Sequence, residues 1–120
     1  MENARQKAEQ RGRKAEFIAC WFLRFKGYRI LAQRFRSKRG EIDLIAERGK
    51  TMVFVEVKAR KTVDDALYAI AYKQRRRIEN AAEDWLKVNL RKRGALRFDV
   101  IAVAGNRLPT HITGAWRLGE

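Results

Sequence analysis

Cysteine and histidine are nearly missing from this sequence: Cys20 and His111 are the single residues of their kinds among 120. One cysteine excludes an intrachain disulfide, and one cysteine with one histidine leaves too few ligands for a zinc site. Cys20 lies in an apolar helical stretch and reads as a small core residue. His111, near the far end of the chain, reads as an incidental loop-edge residue rather than a general base. No apolar run approaches the ~20 residues a bilayer requires, and the N-terminus, charged from Glu2 onward, does not resemble a signal peptide. Internal repeats and low-complexity segments are also absent. A cytoplasmic location is the expectation. Acidic residues are scarce: 14 Asp and Glu stand against 28 Lys and Arg, a net charge of +14, with a pI near 10.8. So basic a chain points to a polyanionic partner, nucleic acid first and an anionic membrane surface second. The membrane reading is the weaker, because the basic helical segment carries no broad apolar face.

What remains is an ordinary globular balance, 46% hydrophobic and 35% charged. Residues 1–120 are expected to form a single domain with a modest core. Residues 1–11 are polar and either fray or extend the first helix. From Gly12 to Lys26 the apolar residues Ala15, Ile18, Ala19, Phe22 and Phe25 recur at helical spacing, and Gly27 is placed to stop the helix. Glu16 lies beside this stripe, where a solvated glutamate near a helix N-terminus is the plain reading. Tyr28–Phe35 reads as a strand. The basic run Arg34, Arg36, Lys38 and Arg39 follows, either a solvated loop or a phosphate contact.

The centre of the chain is Gly40–Arg60, two β-rich runs, Glu41–Glu47 and Thr51–Lys58, around Arg48-Gly49-Lys50. With Gly49 and Lys50 as the loop, Asp43 faces Glu56, close enough for two carboxylates to share a hard divalent cation. Lys58, two residues on, shares the face of Glu56. Ile42, Leu44, Val53, Val55 and Val57 are assigned to one face, and Ile45, Met52 and Phe54 to the other with the charged trio. A hairpin apolar on both faces belongs inside a sheet covered on both sides. Spacing alone leaves two readings open: a metal site, or a structural Glu56–Lys58 ion pair with Asp43 in a turn.

Past the hairpin, Ala59–Asp65 is a polar connection ending in two aspartates suited to capping. A helix follows, clearest over Tyr72–Leu90, with Ile78, Ala81, Ala82, Trp85 and Leu86 as its buried stripe. Lys73, Gln74, Arg75, Arg76 and Arg77 crowd its start, against the preference of a helix N-terminus for anions. A polyanionic partner, or tertiary carboxylates, would offset that. Leu90–Gly94 reads as a basic turn and Leu96–Val103 as a strand. Asp99 on that strand reads as a structural carboxylate with a basic neighbour. Gly105–Pro109 is a turn, and His111–Leu118 a weak last strand anchored by Trp116.

Asp43, a turn and then Glu56-Val57-Lys58 resembles the core of the PD-(D/E)XK nuclease superfamily. More closely, Gly40-Glu41-Ile42-Asp43-Leu44-Ile45 followed by Phe54-Val55-Glu56-Val57-Lys58-Ala59-Arg60 resembles the bacterial YraN-like family, a branch similar to Holliday junction resolvases. The resemblance runs from about Gly12 to about Val103. It implies an α/β fold: an α-β-β-β-α-β restriction-endonuclease-like core, with a central mixed sheet flanked by helices. It also implies Mg²⁺ or Mn²⁺ held by Asp43 and Glu56 with the Val57 carbonyl, and Lys58 and Glu16 at the active site. Lys73-Gln74 matches a basic position of the resembling nucleases. Arg34 stands where the family commonly carries asparagine, so no family role carries over to it. Resolvase-like relatives are often homodimers. The expected function is a metal-dependent endonuclease hydrolysing DNA phosphodiester bonds, branched DNA being one candidate substrate. The backbone would be held by Arg34, Arg36, Lys38, Lys73, Gln74, Arg75, Arg76 and Arg77. The alternative is a non-catalytic nucleic-acid-binding module that keeps the fold.

Overall fold

The computed structural model describes residues 3–89 and 94–120. The elements are α1 (Ala4–Phe25), β1 (Arg29–Ser37), β2 (Gly40–Arg48), β3 (Thr51–Lys58), α2 (Val63–Tyr68), α3 (Tyr72–Val88), β4 (Ala95–Ala102) and β5 (Thr110–Trp116). The basic turn expected at Leu90–Gly94 falls on residues 90–93, outside the described residues.

α1 begins well before its apolar stripe because Asn3 and Gln6 form a reciprocal cap. The Gln6 amide donates to Asn3 Oδ1 at 2.8 Å and the Asn3 amide to Gln6 Oε1 at 3.0 Å. The polar N-terminal stretch therefore extends the helix. Its end comes at Gly27, whose φ of +86° is readily adopted only without a side chain. α2 starts at Thr62, whose hydroxyl accepts from the Asp65 amide at 3.0 Å. The cap is thus Thr62, and Asp64 with the next aspartate occupies the first turn, where the helix dipole favours anions. Splitting the helical region into α2 and α3 is the one addition to the expected helix order. Among the described residues, no helix is long and apolar enough to cross a membrane.

The strands form one five-stranded sheet in the order β1-β2-β3-β4-β5, antiparallel except for the parallel β3–β4 pair that α2 and α3 connect. This is the mixed sheet, flanked by helices, of a restriction-endonuclease-like core. α3 covers one face over Ile45, Met52, Phe54, Phe98 and Val100. α1 covers the other over Leu44, Val53, Val55 and Ile101. Gly40, at the start of β2, lets α3 approach: a Cβ there would lie 2.0 Å from the Arg77 carbonyl oxygen.

Two expectations need correction. Ile42 packs with Ile45 on the α3 side, although Leu44 faces α1. Strict alternation fails at Asp43, where β2 passes the last rung of its β3 ladder, Leu44 opposite Val55. His111 is not at a loop edge but inside β5, its side chain only 2% exposed.

Candidate functional site

The β2–β3 ladder runs from Arg48 opposite Thr51 to Leu44 opposite Val55, the register that a Gly49-Lys50 loop dictates. One step further, Asp43 reaches across with its side chain. Its Oδ2 accepts a hydrogen bond from the Val57 amide at 2.8 Å. That contact holds the Asp43 carboxylate at the end of β3, against Glu56.

Glu56 is 5% exposed. Burial first, then the charge of Asp43 and a hydrogen bond between the two carboxyls, push the Glu56 pKa up to about 9, against a smaller opposing pull from Lys58. Lys58 Nζ stands 3.5 Å from Glu56 Oε2. The Gln74 side-chain amide, delivered by the first turn of α3, donates to the same oxygen. Two carboxyls, an ammonium and an amide thus meet where the sheet opens between its two helical layers.

Glu16 projects from α1 toward this point. Burial and the nearby Asp43 raise its pKa, while Arg34, whose Nε donates to Glu16 Oε2 at 3.1 Å, partly opposes the rise. Arg34 adopts φ +51°, a left-handed conformation that asparagine tolerates better than arginine. Among the described residues no three His, Cys, Asp or Glu side chains gather closely enough to hold one ion. Asp43 and Glu56, with backbone oxygen beside them, are the donors that could hold a cation at the end of β3. This all-oxygen set suits a hard divalent cation, and a cation would relieve the carboxyl–carboxyl conflict that raises the Glu56 pKa.

The trio lies in an open cleft of about 600 Å³. Of the basic residues expected to contact nucleic acid, Arg34, Arg36 and Arg77 line it, together with Gln74. Arg36 is paired to Glu41 at 3.1 Å. Lys38 is exposed in the β1–β2 turn and Lys73 on the first turn of α3. Arg75 and Arg76 turn elsewhere. Arg75 lies 5.9 Å from the centre of the Trp116 ring, while Arg76 bonds to Glu79 and to the Glu120 carbonyl. Gly12, one turn before Glu16, lines the cleft, and so do Glu9 and Arg13, which the sequence did not single out. Their spacing with Glu16 along α1 marks one polar helix face beside the apolar stripe.

Asp99 belongs to a separate arrangement on the α1 side of the sheet. It is fully buried and accepts from Arg97 Nε and Nη2 at 2.8 Å each, from the Gly114 amide at 2.9 Å and from His111 Nε2 at 2.7 Å. Burial pushes its pKa up, but the bonds from His111, Arg97 and Gly114 outweigh that and hold it below the usual range. Lys26 Nζ donates to His111 Nδ1 at 2.7 Å, which leaves the Nε2 proton for Asp99.

Comparison with known proteins shows the family of the chain. Residues 15–103 match the family described as "Uncharacterised protein family UPF0102". A UPF0102 protein of Mesorhizobium japonicum is 49% identical over 114 residues, covering 94% of this chain and 91% of the relative. One from Bartonella bacilliformis is 51% identical over 110 residues, covering 90% of this chain and 89% of the relative. One from Rhodopseudomonas palustris is likewise 51% identical over 110 residues, covering 91% and 84%. The matched span includes Glu16, Asp43, Glu56, Lys58 and Gln74, so the chain belongs to the UPF0102 family, the YraN-like branch of the PD-(D/E)XK fold.

Proposed function

We propose that the protein is a divalent-metal-dependent nuclease that hydrolyses phosphodiester bonds in DNA. The observation that carries this reading is the convergence of Asp43, Glu56 and Lys58 at one end of β3, in a cleft lined by arginines. Asp43 and Glu56, with the Val57 carbonyl, would hold Mg²⁺ or Mn²⁺. Such an ion supplies Lewis acidity at a phosphoryl oxygen and lowers the pKa of a bound water. Lys58, beside Glu56, places a positive charge where negative charge grows on the phosphoryl group. Gln74 fixes the orientation of the Glu56 carboxyl. Arg34, anchored by Glu16, and Arg36 and Arg77 hold the backbone without reading sequence.

Incubating the protein with branched, single-stranded and duplex DNA plus Mg²⁺ or Mn²⁺ tests the proposal. Cleavage that disappears in Asp43→Ala and in Lys58→Ala supports it; no cleavage, or cleavage unchanged in both variants, refutes it. A second reading, a binding module without catalysis, has one observation in its favour. Asp43 and Glu56 already find partners within the protein, the Val57 amide, Gln74 and Lys58. Its signature is salt-sensitive DNA binding indifferent to Mg²⁺ and to Asp43→Ala.

A further inference from the structure

Phe17 and Trp21 stand one turn apart on α1, 66% and 47% exposed. Neither belongs to the cluster that α1 packs against the sheet. Rings of this size are normally the largest contributors to a core, so two of them left in solvent on one helix face need a reason. They wall a groove of about 480 Å³ between α1 and the β1–β2 pair. Its charged lining is Arg13, Arg24 and Arg34 against Glu16, which is tied to Arg34, and Asp43 at the end shared with the cleft. The Arg24 guanidinium lies over the Trp21 ring, 4.8 Å from its centre. The groove is continuous with the cleft, since Arg13, Glu16, Arg34 and Asp43 line both.

Exposed rings interleaved with guanidinium groups form a surface on which nucleobases stack while phosphates are neutralised. Paired bases inside a duplex have no free face to offer, so such a surface favours unpaired strands. A second copy of the chain fits less well. A symmetric contact through this face would bring Arg13, Arg24 and Arg34 toward their own counterparts, in a molecule of net charge +14. Building on the nucleic-acid reading of the cleft, we propose that this groove binds unpaired nucleotides. Bases stack on Phe17 and Trp21, and the strand is led past Arg13 and Arg34 to Asp43. The substrate class is then nucleic acid with a single-stranded segment, such as a flap, a gap or an open junction arm.

The test is a binding titration in chelator, where nothing is cleaved. Fluorescence anisotropy compares a labelled oligothymidine of about 12 nucleotides with a duplex of equal length. The proteins compared are the unmodified chain, Phe17→Ala/Trp21→Ala and Trp21→Phe. The double variant is expected to lose about tenfold to a hundredfold in single-strand affinity, with duplex affinity nearly unchanged. Trp21→Phe, which keeps a stacking ring, is expected to retain most of the single-strand affinity. Trp85 and Trp116 are buried, so quenching of tryptophan emission by the oligonucleotide reports Trp21 and should vanish in Trp21→Phe. Equal losses for single strand and duplex, or no loss for either, overturn the inference. So does a protein dimer that the double variant dissociates while single-strand affinity stays the same. Because no catalysis is read, a chain that fails to cleave DNA leaves this outcome interpretable.

Discussion

Glu56 carries the sharpest conflict in the molecule, a carboxyl buried beside a second carboxyl and holding its proton up to about pH 9. A group whose folded pKa is raised stabilises the fold while protonated. That contribution is complete below about 4.5 and is lost as pH climbs through about 9. The thermal midpoint in chelator should therefore fall between pH 5 and pH 9, and Mn²⁺ should restore it more at pH 8 than at pH 5. Glu56→Gln should raise stability in chelator at pH 8 by roughly 1–2 kcal/mol and abolish the Mn²⁺ effect; a midpoint equally flat in both proteins would contradict this. Asp99 behaves oppositely. Its lowered pKa makes it stabilising above the ordinary aspartate value, and the contribution is lost as pH falls through the folded pKa. Asp99→Asn strands Arg97 and His111 and should cost about 3–5 kcal/mol in chemical denaturation, without changing metal binding at the cleft. Single residues were unevenly legible. Strand spacing alone brings Asp43, Glu56 and Lys58 together without deciding between a metal site and an ion pair, and the structural reading of Asp99 follows from its basic neighbour on a strand separate from theirs. Ile42 and His111 were not legible, because one depends on where a ladder ends and the other on a sheet edge built by distant sequence.

At the level of elements, the site depends on how closely α3 lies on β2. Gly40 permits that contact, and Gln74 and Arg77 reach the cleft from the same helix. Gly40→Ala drives a methyl group into the Arg77 carbonyl. It should destabilise the fold by about 1–3 kcal/mol and weaken DNA binding beyond what Arg77→Ala does alone, as denaturation and anisotropy would read. α3 also starts without a side-chain cap at Ala71 and with basic residues in its first turns. Ala71→Ser should add about 1 kcal/mol of stability, seen as a raised thermal midpoint. The hairpin register was legible because a two-residue loop leaves little choice. α2 was harder to see, for a six-residue helix is shorter than the window over which helical periodicity becomes visible. The outward turn of Arg75 and Arg76 was equally hidden, since it follows from Glu79 and Trp116 arriving from elsewhere in the fold.

For the molecule as a whole, the proposed function has charge governing encounter and the cleft governing outcome. With Arg13, Arg34, Arg36, Lys58 and Arg77 lining one surface, three of them exchanging a carboxylate partner for phosphate, single-strand affinity should fall with log salt at a slope of about −3. Removing Arg36 or Arg77 should each flatten the slope by somewhat less than one unit; a salt-insensitive affinity would place the partner elsewhere. Composition pointed to a polyanionic partner as an expectation, and the order of strands and helices indicated the layered α/β core that the fold shows. Neither could reveal the aromatic groove beside the cleft, since Phe17 lies among apolar residues that the helix does bury. The central claim is that Asp43 and Glu56 grip one cation together. Crystals soaked in Mn²⁺ and measured for anomalous scattering test it most directly. One peak is expected within about 2.0–2.6 Å of an oxygen from each carboxylate, lost in Asp43→Ala. A peak touching only one of them, or no peak in the cleft at saturating Mn²⁺, would contradict it.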